Sequence, residues 1–170
     1  MTAQLLVIAV LPALLALAAG WDLASSTIPN WLQVALVAAF AVFLLAAGMT
    51  PAMVGWHLLA GLMGLAVGFT LFALGFIGGG DAKLFAAVSL WLGFDLDLMS
   101  YMLIASVLGG ALTLALLALR KLPMPALLTG QPWLVRLHDE RAGIPYGVAL
   151  AAGAFLILPQ TEIFRLAAGV

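Results

Sequence analysis

The 170-residue chain is 66% hydrophobic and only 8% charged, with a mean hydropathy of +1.25, whereas a soluble domain carries about 25% charged residues. Its net charge of -1, with six scattered Lys and Arg, offers no basic surface for a nucleic acid. The lack of cysteine excludes a disulfide framework, a thiolate nucleophile and a Cys-based zinc site. These properties point to lipid as the surroundings and to one all-α, integral-membrane domain over residues 1–170.

A membrane-crossing helix takes about 20 mainly apolar residues. Six runs approach that length, at 3–21, 31–49, 53–77, 82–94, 98–119 and 144–160, and they predict a polytopic protein of about six transmembrane helices. No Lys or Arg precedes the first run, so it reads as a first span and not as a signal peptide. It ends at Asp22. The following "STIPN" prepares the second helix, with Pro29 rigid and Asn30 a candidate cap. In the third run His57 stands without a second metal ligand nearby and reads as an interfacial polar residue. Gly64 and Gly68 in the same run make a small-residue step suited to close packing inside the monomer.

The fourth run is opened by "GGGDAKL". About fourteen residues, or about 21 Å of helix, separate Asp81 from Asp95, against a hydrocarbon core of about 30 Å. The spacing predicts Asp81 at the start of this helix and within the membrane, with the glycines exposing backbone to a close neighbour. Lys83 is expected to snorkel to headgroups. Stretch 120–143 is too rich in proline for another span, and it carries Arg120, Lys121, Arg136 and Arg141, available to anionic lipid. The positive-inside rule makes this loop cytoplasmic, with both termini outside and with Asp22 and Asp81 on the cytoplasmic side. His138, in the polar stretch with Asp139 and Glu140, reads as part of a solvated loop. Pro145 suits a helix start, and Tyr146 is expected in the interfacial aromatic belt.

Carboxylates in or near a bilayer are costly and either pair or function. If Asp22 and Asp81 meet, they share one proton, because like charge opposes the second ionisation. One then acts as base towards water while its protonated partner polarises an amide carbonyl, which is peptide hydrolysis by an aspartyl pair. No metal or other cofactor is expected.

Three segments together resemble the type IV prepilin peptidases, membrane aspartyl proteases with a G-x-G-D motif, and especially their short form associated with Flp (tight-adherence) pili. "GGGDAKL" matches G-x-G-D-x-K-L with Gly78, Gly80, Asp81 and Lys83; "DLASSTIPN" matches the first catalytic Asp followed by I-P-N; "GIPYGVAL" matches a proline–aromatic–glycine segment with Pro145, Tyr146 and Gly147. The resemblance implies Asp22 and Asp81 as catalytic residues, with Pro29, Asn30, Pro145, Tyr146 and Gly147 shaping the site. It implies as substrates prepilins, cut at the cytoplasmic face of the bacterial inner membrane between a basic leader and a hydrophobic helix, with Asp139 and Glu140 the candidates for meeting that leader; whether pseudopilins are substrates too stays open. Longer relatives carry a cytoplasmic segment with paired cysteines, and many of those also N-methylate the new N-terminus; this chain lacks the segment, so peptidase activity is expected and N-methylation stays open. Two other readings stay open: a G-x-G-D protease that cuts within spanning helices, and a non-enzymatic transporter or proton-conducting subunit. The sequence leaves the oligomeric state open.

Overall fold

The computed structural model describes residues 1–125 and 129–169, and helices are the only regular elements among them. Helix α1 runs over Thr2–Ser25, with a π-helical turn at Leu6–Val10. The widened turn stands immediately before Leu11 and Pro12, where proline has no N–H to give the carbonyl of Ile8. Helices α2 (Asn30–Ala46) and α3 (Pro51–Ala73) follow. Both end in a Schellman motif with glycine in the left-handed region: Gly48 at φ +62 and Gly75 at φ +78. The next residue's N–H closes each turn, from Met49 to the Leu44 carbonyl and from Phe76 to the Leu71 carbonyl. Thr50 caps α3 through its side chain, ahead of Pro51.

Helix α4 (Gly79–Leu92) and helix α5 (Leu96–Arg120) are joined by a short turn in which Asp95 caps α5, accepting from the Asp97 and Leu98 amides at 2.8 and 3.3 Å. Among the described residues of the proline-rich stretch, the regular element after α5 is the seven-residue α6 (Pro132–His138), in keeping with its reading as too broken to span. Helix α7 (Tyr146–Ile157) runs through a 3₁₀ turn at Leu158–Gln160 and bends by 54° into α8 (Glu162–Ala168).

The six apolar runs all become helical, but they do not become six full-length spans. Among the described residues, three helices can cross a membrane by length and composition, α1, α3 and α5, with a fourth crossing if α7 and α8 count as one bent span. Helix α2 has 17 residues and α4 only 14, which at 1.5 Å per residue makes about 25 and 21 Å. Helix α4 is the central one: Ala82, Leu84, Phe85 and every residue from Ala87 to Leu92 are buried. An apolar helix enclosed by protein has no lipid thickness to match, so its hydropathy reports burial in the fold.

Close packing of α3 on α4 follows from the small-residue step. A Cβ placed on Gly68 would lie 2.8 Å from the Ala82 carbonyl oxygen, and one on Gly64 would lie 2.5 Å from Ser89 Oγ. Glycine at these positions lets the two backbones approach, inside the monomer as expected. Towards the far end of α4, His57 is buried and its Nδ1 lies 2.8 Å from the Leu90 carbonyl. That carbonyl is among the last four of α4, which have no partner within the helix. His57 is therefore a buried helix-end cap, a partner for backbone that the sequence did not indicate. Trp91, edge-on to Phe40 and tilted against Phe43, donates from Nε1 to the Leu36 carbonyl at 3.0 Å and ties α4 to α2.

Candidate active site

Asp22 lies one turn before the end of α1, not at the end: the helix continues to Ser25, and Ser26 adopts the left-handed conformation at φ 53. Asp81 is the third residue of α4, following Gly78 as the N-cap residue. Its Oδ2 accepts from the Gly78 N–H at 3.0 Å, the half of a capping box that an acidic residue at this position makes. Asp81 Oδ1 is buried and accepts no hydrogen bond. One carboxylate oxygen thus holds the helix start, and the other is free for a further donor.

The two carboxyl groups come together. Both line one cavity of about 240 Å³, enclosed by Ser26, Thr27, Ile28 and the three glycines 78–80. Both side chains are more than nine-tenths buried, with Asp22 3% and Asp81 5% exposed, and they are within electrostatic reach of each other. The start of α7 completes the site. The Gly147 N–H donates to Asp22 Oδ2 at 2.7 Å. Backbone N–H groups at a helix start form a natural seat for negative charge.

Glycine is required here by crowding. A Cβ on Gly147 would lie 2.8 Å from Asp22 Oδ2 and 2.7 Å from Ile28 Cδ1, and one on Gly80 would lie 3.2 Å from Ile28 Cβ and from its backbone nitrogen. The buried Ile28 side chain is therefore wedged between the two glycines that adjoin the carboxyl groups. The glycines before Asp81 let the loop 26–29 seat against α4, and Ile28 is the close neighbour that approaches Gly80. Ile28 escaped notice as a site residue because an isoleucine in an apolar chain carries no signal of its own.

Other sequence-based expectations are redirected. Pro29 is the N-cap residue of α2 in an extended conformation, and Asn30, the first residue of the helix, makes no capping bond. Its Oδ1 instead accepts from Lys83 Nζ at 2.7 Å, so Lys83 bonds a neighbouring helix where snorkelling was expected. Pro145 is buried as the N-cap residue of α7. Tyr146 lies over Gly109, its hydroxyl 3.2 Å from Thr113 Oγ1, in a cavity of about 310 Å³ between α3, α5 and α7. It does not line the carboxyl cavity. Gln33 was missed: it is buried on α2 and donates from Nε2 to the Gly80 carbonyl at 3.1 Å. As the single polar side chain in the run 31–49, it was visible in principle.

The cations expected at headgroups are partly consumed by backbone. Arg120 donates to the carbonyls of Leu137, Ala142 and Gly143 at 2.8, 3.0 and 3.2 Å. Arg136 donates to the Ala24 carbonyl at the end of α1, so α6 is pinned across the helix end next to Asp22. No feature of the sequence indicates these carbonyl partners. Asp139 and Glu140 are exposed on this pinned segment, and Asp139 Oδ1 accepts from the Arg141 N–H at 2.9 Å. Among the described residues no three His, Asp or Glu side chains are grouped to hold a metal ion.

Residues 9–114, more than half of the chain, match the profile of the type IV leader peptidase family. The chain belongs to that family. Membership makes it a membrane protease of the leader peptidase kind, with pilin substrates in general, and fits its apolar helices to a bacterial inner membrane. The matched range includes Asp22, Ile28, Gln33 and the turn 78–83 but stops short of the start of α7, so the case for Gly147 rests on its contacts. Searches of curated proteins and of solved structures return no match.

Proposed function

We propose that this leader peptidase hydrolyses the bond between the basic leader and the hydrophobic helix of Flp-type prepilins, using Asp22 and Asp81 at the cytoplasmic face of the membrane. The observation that carries this reading is the convergence of the two buried carboxyl groups on a single cavity. At any moment one member is ionised and the other protonated. The ionised member takes a proton from water as the oxygen attacks the scissile carbonyl carbon, while the protonated member donates to the carbonyl oxygen. Collapse of the tetrahedral intermediate breaks the C–N bond, and the departing amine takes up a proton. The pair titrates as a unit, so the two roles belong to the pair.

The Gly147 amide is bonded to Asp22, and the Asp81 Oδ1 has no hydrogen-bond partner competing for it. Exposed Asp139 and Glu140, on the segment pinned to the end of α1, supply the charge that a basic leader would meet. The test is coexpression with a Flp-type prepilin, followed by sequencing of the product from its new N-terminus. Cleavage between leader and hydrophobic helix supports the proposal. Cleavage inside the helix would replace it with an intramembrane protease, and no cleavage across a set of prepilins would favour a non-enzymatic membrane protein.

A further inference from the structure

Two polar contacts between the first turns of α2 and α4 have no part in the chemistry above. Gln33 Nε2 donates to the Gly80 carbonyl at 3.1 Å, and Lys83 Nζ donates to Asn30 Oδ1 at 2.7 Å. Asn30 and Gln33 are three residues apart on α2, as are Gly80 and Lys83 on α4, so each helix presents both of its partners on one face. The two contacts bracket Asp81: one holds the residue before it and the other the residue two beyond. Ile28, two residues before Asn30, presses on the same Gly80.

Helix formation does not require these bonds. In an α-helix the carbonyl of residue 80 is already the acceptor for the N–H of residue 84. Burying an amide among apolar side chains is costly unless it is bonded, and Gln33 leaves its Oε1 without a partner. A leucine would fill this place without that cost. What Gln33 adds is a lateral fix on the turn that carries Asp81.

We propose that Gln33 and the Asn30–Lys83 pair are positioning residues, a two-rung clamp that holds the Asp81 turn in register with Asp22. The proposal rests on the two-aspartate reading of the site. Because the loop 26–29 joins the helix carrying Asp22 to α2, clamping the start of α2 to α4 fixes one carboxyl group relative to the other. Displacing a catalytic group by about 1 Å can cost about 100-fold in rate.

The chain has no cysteine, so spin labels can be attached at Thr27→Cys and Phe76→Cys, both exposed positions beside the two turns. The distance between them is measured by dipolar broadening in the full chain in lipid nanodiscs. Wild type should show one narrow distance, and the Gln33→Met, Lys83→Met double variant a broader and longer one. In leader cleavage by the unlabelled protein, each single variant should lower kcat by about 10- to 100-fold with KM within about threefold, and Lys83→Arg, which keeps a donor, should recover most of it. Lys83 is exposed, so its variant reports even if Gln33→Met folds poorly. An unchanged distance in the double variant, or unchanged kcat in both singles, overturns the clamp. If Asp22→Asn and Asp81→Asn still cleave, the two-aspartate reading fails, and the spin-label distance alone then decides whether the clamp exists.

Discussion

Gly147→Ala separates the cost of a contact from the cost of a displaced carboxyl group. The new Cβ would stand 2.8 Å from Asp22 Oδ2, 3.1 Å from its Cγ and 2.7 Å from Ile28 Cδ1. All three atoms belong to side chains and can move, so the loss of stability should fall at the low end of the range for overpacking, about 1 kcal/mol. Activity is another matter, because the atom that must give way is the one held by the Gly147 N–H at 2.7 Å. A shift of about 1 Å there should lower cleavage by about 100-fold, equivalent to about 2.7 kcal/mol of barrier at 1.36 kcal/mol per tenfold. Gly110→Ala on α5 is the control, since nothing lies within 4 Å of its new Cβ. A helix interior gains up to about 1 kcal/mol from that exchange, with no loss of rate. The assay is leader cleavage by purified protein in lipid, with thermal unfolding measured in parallel. Gly147→Ala cleaving at the wild-type rate would refute the claim that this glycine seats Asp22.

Gly68→Ala should reverse the pattern, because its new Cβ meets the backbone of Ala82, at 2.8 Å from the carbonyl oxygen and 3.0 Å from Cα. Helices α3 and α4 must separate, and stability should fall by about 1–3 kcal/mol, read as a lower unfolding temperature. His57→Leu leaves the buried Leu90 carbonyl without its donor, which should destabilise by about 1–3 kcal/mol while cleavage at a permissive temperature is retained. For the proposed orientation, Glu140→Cys should react with an impermeant maleimide only after the membrane is opened, and Leu96→Cys from the outside. The opposite labelling would invert the topology.

What was legible in the sequence is what is rare in it. Charges are scarce in an apolar chain, so Asp22 and Asp81 stand out, and their glycine and proline neighbours mark the turns that bring them together. Helix existence was equally clear from the apolar runs. Hydropathy, however, does not distinguish a helix facing lipid from one facing protein, so the central α4 read as a short span when it is enclosed by its neighbours. Side-chain bonds to distant backbone were also out of reach. Gln33 to Gly80, Arg136 to Ala24 and His57 to Leu90 depend on which carbonyls the packed helices bring near. Lys83 and Asn30 were each visible, but their pairing needs α2 and α4 side by side. Ile28 became a site residue only through the two glycines against which it is wedged.

The central claim is a peptidase that needs both aspartates, and the direct measurement is leader cleavage by wild type, Asp22→Asn and Asp81→Asn at matched membrane levels. Asparagine preserves size and hydrogen bonding while removing the ability to exchange a proton. The account predicts that cleavage disappears in both variants, to below about one part in a thousand of wild type, as expected when a group that acts in the chemical step is removed. Substantial cleavage by either variant would contradict it.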